Sequence, residues 1–131
     1  MKTKKQKNSK PNVHIEFSFT REQCRVLIDA LDFLMFADVI SFEEEKISHD
    51  SAFEATEKLR MCDCTFTRGE VRASAKAVEV AIRELSVGHR DFPDLEEDFD
   101  GIIDDLVSNL PVLEELIPVL SKSVQELKKL K

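Results

Sequence analysis

The residues best suited to chemistry in this sequence are two cysteines in the run CDC, at positions 62 and 64. Thiolates at this spacing can share a metal ion, with His49 or His89 as further ligands. A structural zinc site usually takes four ligands, with cysteines supplied as two pairs, and this sequence has one pair. Free cysteine also packs as a small apolar residue. We therefore expect Cys62 and Cys64 to be core residues, keep them as metal candidates, and predict no resident metal or cofactor.

The second candidate is the acidic run DFPDLEEDFDGIIDDL, residues 91–106, which has eight carboxylates and no basic residue. When Gly101 is taken as the turn glycine of an EF-hand calcium loop, the loop begins at Glu96 and ends at Val107. The first position is normally Asp, and the last normally supplies a bidentate Glu. Because both positions differ, we do not predict a calcium site.

On a helix, the acidic run could either imitate nucleic acid or be balanced by basic residues of the same chain. Glu96, Asp100 and Asp104 lie one turn apart, about 6 Å, which is close to the spacing of phosphates along a nucleic-acid strand. Like charges one turn apart cost roughly 0.2–0.5 kcal/mol per pair in an isolated helix, so a source of basic residues is expected nearby. If the last two helices form an antiparallel hairpin, the offsetting residues are Lys122, Lys128 and Lys129.

No arrangement of residues points to catalysis. The three histidines, at positions 14, 49 and 89, are scattered, and no Ser or Cys stands in a recognisable relation to a His and an orienting acid. Three glycines leave no Gly-rich loop for phosphate. We therefore expect a protein that is not an enzyme.

Length and charge indicate one domain with a short basic tail. The chain has 131 residues, which is the size of one domain. Residues 1–12 hold five Lys and no acid, and the remainder of the chain contains fourteen basic and twenty-six acidic residues. We predict a disordered tail over 1–12 and a single helix-rich domain over 13–131. An acidic body repels nucleic acid. No signal peptide or membrane span is recognisable, so we expect a cytoplasmic protein with free thiols.

The pattern of apolar residues predicts an α+β, predominantly helical fold. Alternation over 13–19 indicates a half-buried strand, and helical spacing follows from residue 20 to about 37. The pairs with capping-box spacing are Thr20 with Gln23, Ser51 with Glu54, and Thr67 with Glu70. Residues 13–36 align with 60–83 at a shift of 47, which indicates two strand-helix units and an internal repeat. This alignment places Cys62, Cys64 and Phe66 on the inward face of a strand.

The C-terminal part predicts an antiparallel helical hairpin. Its first helix starts at Asp94 as N-cap, with Gly88 ending the helix before it, and a break falls at 109–111. The second helix has a broad apolar stripe and should bend at Pro118.

We therefore expect a small acidic protein-protein interaction module, which can act as a homodimer. The alternative is an acidic mimic of nucleic acid that inhibits a DNA- or RNA-binding protein. Neither function involves a membrane or direct nucleic-acid binding by the acidic body. The candidate partner-binding residues are Glu96, Glu97, Asp100, Asp104, Leu116, Leu120 and Leu127.

Overall fold

The computed structural model describes residues 14–37, 40–86 and 98–129, with the backbone alone for 98–100. Its elements are, in order, β1 (His14–Glu16), α1 (Arg21–Phe36), α2 (Phe42–Glu45), α3 (His49–Arg60), β2 (Thr65–Thr67), α4 (Arg68–Leu85), α5 (Asp98–Ser108) and α6 (Leu110–Lys129). The predominantly helical fold with a small strand pair is thus confirmed. The predicted tail over 1–12, the helix stop at Gly88 and the cap at Asp94 lie outside the described residues.

Two of the three predicted capping boxes form. The Thr20 hydroxyl accepts a hydrogen bond from the Gln23 amide at 3.0 Å, and the Gln23 side chain accepts from the Thr20 amide at 2.9 Å. The same reciprocal pair joins Thr67 and Glu70, at 3.3 and 2.8 Å. Each box satisfies two amides that would otherwise lack partners at a helix start, so α1 and α4 begin where the sequence predicts.

The prediction of a third capping box, at Ser51, is wrong. Helix α3 begins three residues earlier, because the Ser48 hydroxyl accepts from the Ser51 amide at 3.2 Å and caps the helix. Ser51 lies instead in the first turn, close to the backbone of α4. A Cβ placed on Gly69 would lie 2.5 Å from the Ser51 hydroxyl oxygen, so a glycine at this position allows α3 and α4 to approach.

The core is built on α1 and α4, which pack on each other and which both also pack on α3, α5 and α6. The strands pair antiparallel with Ile15 opposite Phe66, and they bring three phenylalanine rings together. The ring centroids of Phe17 and Phe19 lie 4.9 Å apart, and those of Phe17 and Phe66 lie 5.7 Å apart. The internal repeat stays a prediction, because the 47-residue shift places β2 on residues 18–20, outside β1.

The predicted hairpin is not confirmed. Helices α5 and α6 are separated by Asn109 alone. Helix α5 packs mainly on α1 and helix α6 mainly on α4, and α5 and α6 have little contact with each other. The Asn109 side chain donates to the Asp105 carbonyl at 2.7 Å, which satisfies an acceptor at the end of α5. Helix α6 continues through Pro118, and the bend expected there stays a prediction.

The buried hydroxyl of Ser74, inside α4, is expected to lower the stability of the protein. Its hydroxyl oxygen is fully buried and has no hydrogen-bond partner among the described residues. Replacing Ser74 by alanine removes an unpaired buried polar group and improves helix propensity, so we expect the free energy of unfolding to rise by about 1 kcal/mol. Chemical denaturation followed by circular dichroism measures this change. The matched control is Ser123→Ala in α6, whose hydroxyl already donates to the Val119 carbonyl; a gain no larger than the control's would contradict the prediction.

Candidate functional site

A groove of about 400 Å³ lies between α4 and α6 in the described part of the chain, and its lining also includes Glu45 of α2 and Ile47 of the segment that follows. We call it the α4–α6 groove. Its apolar lining residues are Ile47, Ala75, Val78, Ile117, Leu120 and Val124. Its polar and charged lining residues are Glu45, Arg72, Lys76, Glu79, Ser121, Gln125 and Lys128. The groove therefore has an apolar floor and a charged rim.

The helical spacing of α6 accounts for the length of the groove. Its lining residues run from Ile117 to Lys128, which corresponds to about 16 Å along a helix that rises 1.5 Å per residue. Ala75 of α4 and Ser121 of α6 are small, so they leave space that larger side chains would fill. The result is an elongated surface open to solvent at Ile117, which is 39% exposed.

The rim carries more available positive than negative charge. Lys76 is held between two carboxylates, because its ammonium lies 3.0 Å from Glu45 and 3.1 Å from Glu79. Burial acts to lower the pKa of Lys76, but the hydrogen bonds to these two acids outweigh it and raise the pKa above its usual value. Both rim acids are thus engaged. Within the described ranges Arg72 and Lys128 form no ion pair, so these two cations remain for a ligand.

The predicted partner-binding leucines do not line an exposed stripe. Leu116, Leu120 and Leu127 are at most 2% exposed and belong to the protein's own core, where α6 packs on α4 and α1. Leu120 alone also reaches the floor of the groove. The sequence pattern indicates the apolar face of α6 but cannot show that α4 covers most of it. Arg72 and Lys128, at the rim, are not predicted as site residues because isolated basic residues carry no sequence signal.

The predicted acidic site is mostly beyond what the structure describes. Glu96, Glu97 and the side chain of Asp100 lie outside the described residues, and Asp104 is exposed on α5. The nucleic-acid mimic therefore stays a prediction. Asp105, by contrast, forms an ion pair with Arg25 of α1 rather than with one of the three lysines expected to offset the run.

Asp105 belongs to a compact charged cluster between α1 and α5. Its carboxylate accepts from Arg25 and, at 3.2 Å, from the Asn109 side chain. Asp29 lies beside it, and burial followed by a hydrogen bond to Asp105 raises the pKa of Asp29 to about 8. The bonds from Asp29 and Arg25 lower the pKa of Asp105 despite its partial burial. The raised pKa favours a protonated Asp29 that donates to Asp105, and the cluster joins two helices.

Two cysteines that are distant in sequence, Cys24 and Cys64, come into contact. Their sulfur atoms, from α1 and from the residue before β2, lie 3.7 Å apart, and both side chains are partly buried. Burial, followed by the contact with Cys64, raises the pKa of the Cys24 thiol to about 11. No spacing in the sequence reveals this pair, because its two members are 40 residues apart.

The prediction that Cys62 points inward from a strand is wrong. The amide of Cys62 donates to the Leu59 carbonyl, and the amide of Asp63 donates to the Lys58 carbonyl, so the chain ends α3 with a Schellman motif. Cys62 occupies the left-handed position of that motif, with φ of 60°, and its side chain is exposed. Across residues 14–37, 40–86 and 98–129, no group of three or more His, Cys, Asp or Glu side chains is placed to hold a metal ion.

Among the described helices, none combines the length and apolar content needed to cross a bilayer. No protein-family model, curated protein or solved structure shows significant similarity to this chain.

Proposed function

We propose that this protein is an interaction module that binds an acidic, amphipathic segment of a partner protein in the α4–α6 groove. The observation that carries the proposal is the combination of an apolar floor with two rim cations, Arg72 and Lys128, that lack acidic partners among the described residues. In a chain with a formal net charge of −7, such a surface is complementary to carboxylates.

The dimensions of the groove favour a chain segment as its occupant. Lining residues follow α6 for about 16 Å, which matches three turns of a helix or a short extended strand. A partner helix of this kind would place apolar side chains on the floor at helical spacing, and acids one turn away would meet the rim. Binding removes the exposed part of Ile117 from water, which supplies the apolar contribution.

Selection from a library of displayed random peptides tests this proposal directly. We expect the enriched peptides to carry Asp or Glu beside Leu, Ile or Phe at a spacing of three or four residues. Their affinity should fall as salt increases, because the rim charges are exposed to solvent. Enrichment of basic or uniformly polar peptides would contradict the proposal.

Charge reversal in the groove is expected to weaken binding of the selected peptides by roughly tenfold or more, because two attractive contacts become repulsive. The variant is Arg72→Glu with Lys128→Glu. The matched control is Arg83→Glu with Lys122→Glu, which makes the same charge change on the same two helices away from the groove lining. Fluorescence titration measures both dissociation constants, and equal losses in the two variants would exclude the groove as the binding site.

If the partner is a second copy of this chain, the protein forms a homodimer through the α4–α6 groove. Light scattering at micromolar concentration tests it with the same two variants. A dimer that the groove variant dissociates and the control variant preserves would identify the second copy as the partner.

A further inference from the structure

We propose that Cys24 and Cys64 are a redox pair that closes into an intramolecular disulfide when the protein meets hydrogen peroxide. Their sulfur atoms are in contact, 3.7 Å apart. Forty residues separate the two cysteines in sequence, so the fold rather than local chain geometry holds the thiols together. A disulfide requires about 2.05 Å between sulfurs, and side-chain rotation on two partly buried residues can shorten the present contact.

The elements around the pair hold both cysteines in place. Cys24 lies in the first turn of α1, where its amide donates to the Thr20 carbonyl at 2.9 Å. The Cys64 carbonyl accepts from the Phe17 amide at 3.0 Å, which extends the pairing between the two strands by one bond. Pre-organisation of this kind favours disulfide formation within the chain over reaction with thiols from solution.

The chemistry assigns a different role to each thiol. Cys24 keeps its proton at neutral pH because burial and the neighbouring sulfur raise its pKa to about 11, so it is a poor initial nucleophile. This favours Cys64 as the thiol that reacts first. Its sulfur attacks one peroxide oxygen, the O–O bond breaks, and the products are a sulfenic acid and water. The Cys24 sulfur then attacks the sulfenic sulfur, the S–O bond breaks, and the oxygen leaves with the Cys24 proton as a second water.

Each cycle transfers two electrons from the thiol pair to one peroxide molecule. The product is a cross-link between α1 and the residue that precedes β2. Residues 24–64, which include α2 and α3, then form a closed loop. Closing a loop of this length removes conformational entropy from the unfolded chain, and we expect oxidation to raise Tm by roughly 10 °C.

The test is peptide mapping of the full chain after treatment with hydrogen peroxide under non-reducing conditions. Trypsin should release the peptide of residues 22–25 linked to that of 61–68, with the loss of two hydrogen atoms. A second digestion that cleaves before Asp63 separates Cys62 from Cys64 and shows which of the two carries the link. Dithiothreitol should restore the separate peptides.

Two variants make the assignment specific. We expect Cys62→Ser to form the same link to the same extent, because the exposed Cys62 is not needed, and Cys24→Ser to form none. The proposal is overturned if the link joins Cys62, if it joins two molecules, if Cys24 and Cys64 stay reduced while Cys62 reacts, or if Cys24 and Cys64 become sulfinic acids. The mapping decides among these outcomes even if one variant folds poorly, because the unmodified chain alone can give each of them.

Discussion

Replacing Lys58 by methionine is expected to lower the free energy of unfolding by about 3 kcal/mol. The Lys58 ammonium lies 2.6 Å from the Glu70 carboxylate and donates to the Thr65 carbonyl at 3.0 Å. The Glu70 side chain is 6% exposed, so removal of the lysine leaves a buried carboxylate without its counter-charge. The interaction joins α3, β2 and α4, and it spans the turn that carries the proposed redox cysteine Cys64.

The control for this prediction is Arg83→Met in α4, whose guanidinium pairs with the adjacent Glu84 and is half exposed. We expect that change to cost at most about 0.5 kcal/mol. Denaturation in guanidinium chloride, evaluated by linear extrapolation, measures both values. If Lys58→Met costs no more than the control, the ion pair does not contribute to stability.

A double variant separates the charge from the helix cap. Glu70 also accepts from the Thr67 amide, and in the equivalent box of α1 a glutamine, Gln23, accepts the corresponding bond without charge. Lys58→Met combined with Glu70→Gln should therefore keep the cap and remove the unpaired charge. We expect it to recover at least half of the loss caused by Lys58→Met alone.

The features that could be predicted from the sequence are those set by residues three or four apart. The boxes at Thr20 and Thr67 depend on one side chain and the next turn of backbone, and both form as expected. The same local rule fails at Ser51, because Ser48 offers an equivalent hydroxyl one turn earlier. Local spacing alone does not decide between two such caps.

The features that could not be predicted depend on residues far apart in the chain. Arg25 and Asp105 are 80 residues apart, and their contact follows from α5 packing on α1. A hairpin is expected because elements that are adjacent in sequence often pack together, and it would place lysines of α6 beside the acidic run. Here both C-terminal helices pack instead on α1 and α4. The groove and the thiol pair have the same origin, since each is formed by elements that are distant in sequence.

The cluster of Arg25, Asp29 and Asp105 has a consequence for pH dependence. Burial is the largest cause that raises the pKa of Asp29 to about 8, and the hydrogen bond to Asp105 is the next. The charge of Arg25 acts in the opposite direction, and that of Asp32 adds to the rise. Between pH 4 and pH 8 the folded protein therefore holds a proton on Asp29 that the unfolded chain has lost, since the ordinary value is 3.8. The contribution of Asp29 to stability is complete below that range and falls as pH rises through it.

Replacing Asp29 by asparagine is expected to remove this dependence. The asparagine amide can donate to Asp105 as the protonated carboxyl does, at every pH. Because Asp29 is only half buried, solvent screening reduces the effect, and we expect the variant to be more stable than the unmodified protein by about 1–2 kcal/mol at pH 9. Near pH 5 the two proteins should differ by less than about 0.5 kcal/mol.

Chemical denaturation across this pH range measures the difference between variant and unmodified protein, which cancels the contribution of the histidines to both. The matched control is Glu22→Gln, which removes a carboxylate beside Arg25 from the exposed face of α1. If the stability difference for Asp29→Asn stays constant from pH 5 to pH 9, Asp29 does not carry a proton in the folded protein. If the difference grows with pH for Asp29→Asn and not for Glu22→Gln, the end of the acidic run is held to α1 by a carboxyl that donates a hydrogen bond to a carboxylate.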